Sequence, residues 1–274
     1  MDANYYQMDE KSPLTSYAFL PGFPFKLRFL AKLSEPENWH YEHEYFSPND
    51  TVELAEVKKK YAVLFQYIHH TFSKALDDGL VVESVDGKSS IMNTGLLTIG
   101  QEEIFMVFKE NDRLDAQKWL LVGFFPKSAH EIPVSLRSKL PEHIDYFKGR
   151  AADMYFNLDY EIIPNVEHII THNFNRLPRS IQSMGDKKQV ASILDSLVGQ
   201  MKKRILRNHR LIIPQYYNKK IMYLAPLVFG DETIVLAIEK HEDSYRANTI
   251  LTLGMAYCNA RLLMKPESNW LVLK

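Results

Sequence analysis

A carboxylate at Glu239, an amide at Gln215, an ammonium at Lys220 and an imidazole at His241 fall in three adjacent stretches that read as strands, "RLIIPQYY", "KIMYLAPLVF" and "ETIVLAIEKH". Asn218-Lys219 and Gly230-Asp231 between them suit two-residue hairpin turns, which set residue 217 opposite 220 and residue 229 opposite 232. Pairing then propagates two residues at a time. Gln215, Met222 and Glu239 form one row, and Tyr217, Lys220 and His241 the next row on the same face. Toward the other end the face turns apolar, through Ile213, Leu224 and Ala237. An acid and an amide at the polar end would bind a polar ligand or move a proton, with Glu239 as the candidate catalytic residue, either general base or metal ligand. A sheet that simply emerges into solvent would carry the same residues, and a one-residue slip in register would put Gln215 and Glu239 on opposite faces.

A second chemistry is electrostatic. Residues 187–210 hold seven cations, Lys187, Lys188, Lys202, Lys203, Arg204, Arg207 and Arg210, against the single acid Asp195, a local balance of +6. On a helix, Lys203, Arg207 and Arg210 lie opposite the apolar stripe and face a polyanion. The competing reading is a solvated helix end whose cations suit the C-terminal dipole. Lys203, Arg204, Arg207 and Arg210 are the candidate phosphate ligands, Tyr216 a surface on which a base would stack, and Gln215 the group that orients the ligand.

The third candidate lies in "MAYCNARLL", residues 255–263. At about 100° per residue Asn259 falls among Met255, Ala256, Leu262 and Leu263 and should be buried, where it must find hydrogen bonds to a strand edge or loop carbonyl. Arg261 falls on a narrow stripe with Gly254, Cys258 and Lys265, where it would clamp a carboxylate such as Glu239 or face a phosphate. No metal site is assigned. His69-His70 point about 100° apart on a helix, and His40 and His43 lie in a segment that Pro36 and Pro48 make look looped. "MNTG" and Gln101-Glu102 read as turn chemistry. The chain lacks GxxxxGK[ST], GxGxxG, HExxH and GxSxG motifs.

The elements that must position these groups follow from periodicity. "KLRFLAKL" and "TVELAEVKKKYAVLFQYIHHTFSKAL" read as helices, the second with Val57, Tyr61, Leu64, Phe65, Ile68 and Phe72 on one face. "GLVVESV", "SSIMNTGLLT", "EEIFMVFKEN" and "KWLLVGFF" read as an antiparallel meander. Pro126, Pro133, Pro141, Pro164 and Pro178 break the next stretch, with a helix over 166–174. Asp186 with Gln189 opens the clearest helix, through Val190, Ile193, Leu194, Leu197, Val198, Met201 and Ile205, and the last helix covers residues 253–264 ahead of Pro266. No internal repeat is evident. The reading is therefore α+β: a polar leader (1–19), a helix-plus-meander half (20–125), a connecting region (126–185), and a C-terminal half (186–274) in which helices pack with a three-stranded antiparallel sheet.

With 274 residues, 46% of them hydrophobic, the chain supplies a core for one large domain or two small ones. Its 33 Lys and Arg against 34 Asp and Glu leave no global field, so any attraction to nucleic acid must be local. One Cys excludes an intramolecular disulfide or a thiolate-rich metal site and fits a reducing cytoplasm. The start has no basic and apolar export signal, and runs such as "WLLVGFF" fall short of the roughly 18–20 residues that span a bilayer, so a soluble protein without a membrane partner is expected.

Trp39 and Tyr41, "YIHHTF", "NTGL" with Gln101-Glu102 and Phe105, Lys118-Trp119 with Gly123-Phe124, Arg176-Leu177-Pro178, "PQYY", Glu239, and "TLGMAYCNARL" with Pro266 and Trp270-Leu271 occur in an order that resembles a bacterial family, domain of unknown function 3825. The resemblance runs from about residue 20 to the C-terminus. It implies fusion, in some members, to RNA-binding modules of the cold-shock type, and it carries no assigned catalytic residue or cofactor. The family pattern has an acidic residue at the position of Gly254 and an Asn at that of Cys258, so this chain lacks those polar groups. The leading expectation is RNA or nucleotide interaction in RNA metabolism or stress response. The alternatives are an enzyme acting on phosphodiester or nucleotide substrates through Glu239, and a non-enzymatic module whose N-terminal half docks a protein partner.

Overall fold

Ser12 caps a short helix, α1 (Pro13–Tyr17), whose chain then extends as β1 (Ala18–Phe19) and re-enters a helix at α2 (Phe23–Leu33). The computed structural model describes residues 12–41, 51–113 and 117–272, so His43 and Pro48 lie outside the described residues. Residues 12–19, part of the stretch read as a leader, thus form α1 and β1. The single long helix expected next is broken at Tyr61 into α3 (Val52–Lys60) and α4 (Ala62–Asp77). The break has a cause outside the helix itself. The carbonyl of Lys59 accepts from His40 Nδ1 (2.8 Å), and the amide of Val63 donates to the carbonyl of Trp39 (3.1 Å), so the loop before α3 replaces one helical bond from both sides.

The expected meander forms as β2 (Val82–Glu83), β3 (Ser89–Leu97), β4 (Glu103–Glu110) and β5 (Trp119–Pro126). Its sheet has five strands in the order β1-β5-β4-β3-β2, β1 adding parallel to β5. On one face, Tyr17 of α1 packs among Phe72 of α4, Phe108 of β4 and Trp119 of β5, with ring centroids 5.1, 5.4 and 6.1 Å away. On the other, Ile91, Phe105 and Val107 pack against Ile132 and Leu136. Within β3 the register shifts between Asn93 and Leu97 at a bulge. Asn93 Oδ1 accepts from the amide of Gly95 (2.9 Å), and Gly95 sits at φ +73° with Tyr67 Oη 2.9 Å from where a Cβ would stand.

The chain divides into two compact units that meet in sequence between Asp145 and Tyr146. The second opens with β6 (Glu161–Pro164), α5 (Val166–His172) and α6 (Arg179–Gln182). Then comes α7 (Lys187–Ile205), capped by Asp186, whose side chain accepts from the amide of Lys188 (2.9 Å). β7 (Ile213–Tyr217), β8 (Lys220–Phe229) and β9 (Glu232–Lys240) pair in the predicted register, Tyr217 opposite Lys220 and Phe229 opposite Glu232. The sheet is larger than the three strands expected. β10 (Ser244–Leu251) pairs with β9, β6 adds parallel to β10, and the order is β6-β10-β9-β8-β7. The register shift between Arg246 and Thr249 breaks the period of two that would have revealed β10.

Both sheets therefore repeat one plan, an early strand laid parallel against the last strand of a four-stranded antiparallel meander, although the sequence shows no repeat. The core of the second unit lies between one sheet face, Tyr223, Leu236, Ile238 and Tyr245 among it, and the stripe Val190, Leu194, Leu197, Val198, Met201 and Ile205 of α7. α8 (Leu253–Leu263), capped by Thr252, packs on the opposite face beside β7, β9 and β10. No helix among the described residues is long and apolar enough to cross a membrane.

Candidate functional site

The apolar stripe that seats α7 dictates where its cations go. Lys203, Arg204, Arg207 and Arg210 are all exposed, as is Leu206 between them. Arg207 Nη1 donates to the carbonyl of Lys203 (2.7 Å), which stitches the basic run to the end of the helix. Asn208 caps the following turn, its side-chain oxygen accepting from the amide of Arg210 (3.2 Å). None of the four cations pairs with a carboxylate among the described residues. Their charge is left to the solvent side, where the field of the helix C-terminus is itself negative and holds them together.

Gln215 sits elsewhere. Successive strand residues alternate faces, so Tyr216 lies on the α7 side, its ring 4.7 Å from that of Tyr146 and edge-on to it, while Gln215 lies on the α8 side. The structure thus brings Tyr216 to the same side of the sheet as the basic run and separates Gln215 from both. Gln215 is fully buried, and its Oε1 accepts from Asn259 Nδ2 of α8 (2.9 Å). Asn259 is buried as its helical position predicts, but its partner is this side chain rather than a strand edge or loop carbonyl. Gln215 Nε2 has no hydrogen-bond partner among the described residues, an unsatisfied donor in the core.

Gln215 pairs with Met222 as predicted, the β8–β9 register runs to Tyr223 opposite Ile238, next to Glu239, and β10 sets Arg246 opposite Glu239. Glu239, about a quarter exposed (27%), receives Lys220 Nζ at 2.6 Å. Glu239 is thus paired with the Lys220 ammonium, with Arg246 opposite it in the sheet. Arg246 is the functional-type residue that the sequence reading missed. The signal was the buried pair Tyr245 and Ala247 on either side of it, half of a strand alternation.

Arg261 is partly buried on the last turn of α8, beyond Gly254 and Cys258, and both of these are buried. The narrow polar stripe expected there is in fact part of a helix enclosed on nearly every side, and burial pushes the Cys258 thiol far up from its usual range. His69 is likewise a core residue: its Nδ1 lies 3.1 Å from Ser12 Oγ, and Phe23 and Phe65 flank its ring. Burial and the nearby charges of His70 and Lys58 bring its pKa down to about 3, so it is neutral at physiological pH. Among the described residues no group of three or more His, Cys, Asp and Glu side chains is placed to hold a metal ion.

The family model for a domain of unknown function, DUF3825, matches residues 30–270. The chain belongs to this family. The match spans both units of the DUF3825 chain, from within α2 to beyond α8, so the basic end of α7, the Gln215–Asn259 pair and Glu239 all lie inside it. No curated protein and no solved structure matches the chain.

Proposed function

We propose that this DUF3825 chain binds RNA or a related nucleotide polyanion at the C-terminal end of α7. What supports the reading is one observation: Lys203, Arg204, Arg207 and Arg210 are exposed together, with no carboxylate partner among the described residues, in a chain whose overall charge is only −1. A polyanion gains from such a cluster by releasing counterions, and Tyr216, on the same side of the sheet, adds a ring to stack on. Gln215 and Arg261 belong to the opposite face and take no part in this site. The association with RNA-binding modules implied by the resemblance points the same way, and the setting we propose is the reducing cytoplasm of a bacterium.

The test is fluorescence anisotropy of the full chain with a labelled RNA over a range of salt. Four phosphate contacts to a single strand give a slope of log affinity against log salt of about −2.8, and Arg204→Glu with Arg207→Glu should at least halve it. Binding at low salt that is unchanged in this double variant refutes the proposal.

A further inference from the structure

α2 carries an outer face that a solvated helix has no reason to carry. Phe23, Leu27, Leu30 and Ser34 are buried on one side of the helical wheel. Phe25, Arg28, Phe29 and Lys32 fall within about 100° of one another on the opposite side. Phe25 and Phe29 are 63% and 52% exposed and lie one turn apart, so both rings stand on one stripe. The guanidinium of Arg28 lies 5.9 Å from the centroid of Phe25. The helix contains no acidic residue, and Arg28 and Lys32 pair with no carboxylate among the described residues.

We propose that this face of α2 is a platform for single-stranded nucleic acid, two unpaired bases stacking on Phe25 and Phe29 while Arg28 and Lys32 hold the adjoining phosphates. The ligand carries the opposite charge and offers the one feature that a bare phenyl ring selects, an open π-face. A duplex hides its bases in the stack, so the platform discriminates against it. A lipid surface fits less well, because two rings one turn apart offer little apolar area to hold a helix in the interface. Two rings are also too small a patch to anchor a stable protein interface. The proposal rests on the polyanion reading above and goes beyond it, assigning the single-stranded form as the ligand of a site of its own on α2.

The experiment measures anisotropy of the full chain with a labelled oligouridylate of about 12 nucleotides and with a duplex of equal length. Phe25→Ala with Phe29→Ala should weaken binding of the single strand at least about tenfold and leave duplex binding and the salt slope unchanged. Phe25→Tyr with Phe29→Tyr should retain binding, since the ring and its stacking surface remain. Arg28→Glu with Lys32→Glu should weaken the single strand and flatten its salt slope. Equal losses for strand and duplex, no loss in the double Ala variant, or loss of binding in the Tyr variant overturns the platform. So does capture of phosphatidylserine vesicles that depends on the two Phe rings. The two proposals separate cleanly. If Arg204→Glu with Arg207→Glu abolishes binding while the Phe variants do not, the platform fails and the α7 site stands. The reverse pattern removes the α7 site alone, and no binding by the unmodified chain removes both.

Discussion

Asn259→Ala isolates the contribution of the buried amide pair. Asn259 Nδ2 donates to Gln215 Oε1 at 2.9 Å, where Gln215 is wholly buried and Asn259 is 7% exposed. Truncation removes a hydrogen bond worth about 1 kcal/mol and strands a buried acceptor at a cost of about 1–3 kcal/mol, so a loss of roughly 2–4 kcal/mol is expected. Gln215→Met keeps the volume but removes both amide atoms, including the Nε2 that has no partner among the described residues, and leaves only the Asn259 donor stranded. The double variant strands neither partner of the bond. Its loss should therefore fall short of the sum of the two single losses by about 1–3 kcal/mol. Since two units invite more than one unfolding transition, the assay is native-state hydrogen exchange at β8 and β9, where local opening reports on the sheet beneath α8. Additivity of the two substitutions within about 0.5 kcal/mol would refute the coupling and leave Asn259 as a residue that merely fills space.

Other outcomes follow from single observations. Gly95→Ala, at φ +73° with Tyr67 Oη 2.9 Å from the added carbon, should destabilise the N-terminal unit by about 2–3 kcal/mol in urea denaturation, and a loss below 0.5 kcal/mol would show that the bulge rearranges freely. His69 has a folded pKa near 3 against 6.5 unfolded, so the unfolded state binds the extra proton and the stabilisation present above pH 6.5 is lost as pH falls toward 3. Denaturation from pH 6.5 to 4.5 should lose about 2–3 kcal/mol more in the unmodified chain than in His69→Asn, and equal slopes would refute the assignment. Cys258, buried and with its thiol pKa raised, should react with a thiol reagent only when the chain opens, at a rate that denaturant accelerates; immediate labelling of the native chain would contradict its burial.

What the sequence discloses and what it conceals divide along periodicity. α7 is legible because its apolar residues recur every three or four positions behind an Asp cap, and the β7–β8–β9 register is legible because two short turns fix it. β10 is hidden by a bulge, and β6 and β1 are short strands that join their sheets in parallel, a pairing that neither a hairpin turn nor a local pattern announces. The break at Tyr61 is hidden for another reason. Its cause is a pair of hydrogen bonds with the helix backbone, one to the carbonyl of Trp39 and one from the ring of His40, both distant in sequence from the helix they interrupt.

The candidate site was legible residue by residue and not as a constellation, because a list of polar residues does not carry the side of the sheet. Gln215 and Tyr216 are adjacent in sequence and were joined in one ligand site, yet strand alternation sends the amide under α8 and the ring toward α7. In the sequence Gln215 reads as a ligand contact and Asn259 as a core residue, and the structure makes them a single hydrogen-bonded pair. That pairing changes what Gln215 is for. A buried amide with one bond made and one donor unspent fixes the seating of α8 on β7, whereas contact with a polyanion requires groups in water, such as the exposed cations of α7 and the ring-bearing face of α2. The two kinds of polar residue should respond differently to salt: the binding proposed at the cations weakens as salt rises, while the amide pair, shielded from ions, holds its contribution to stability.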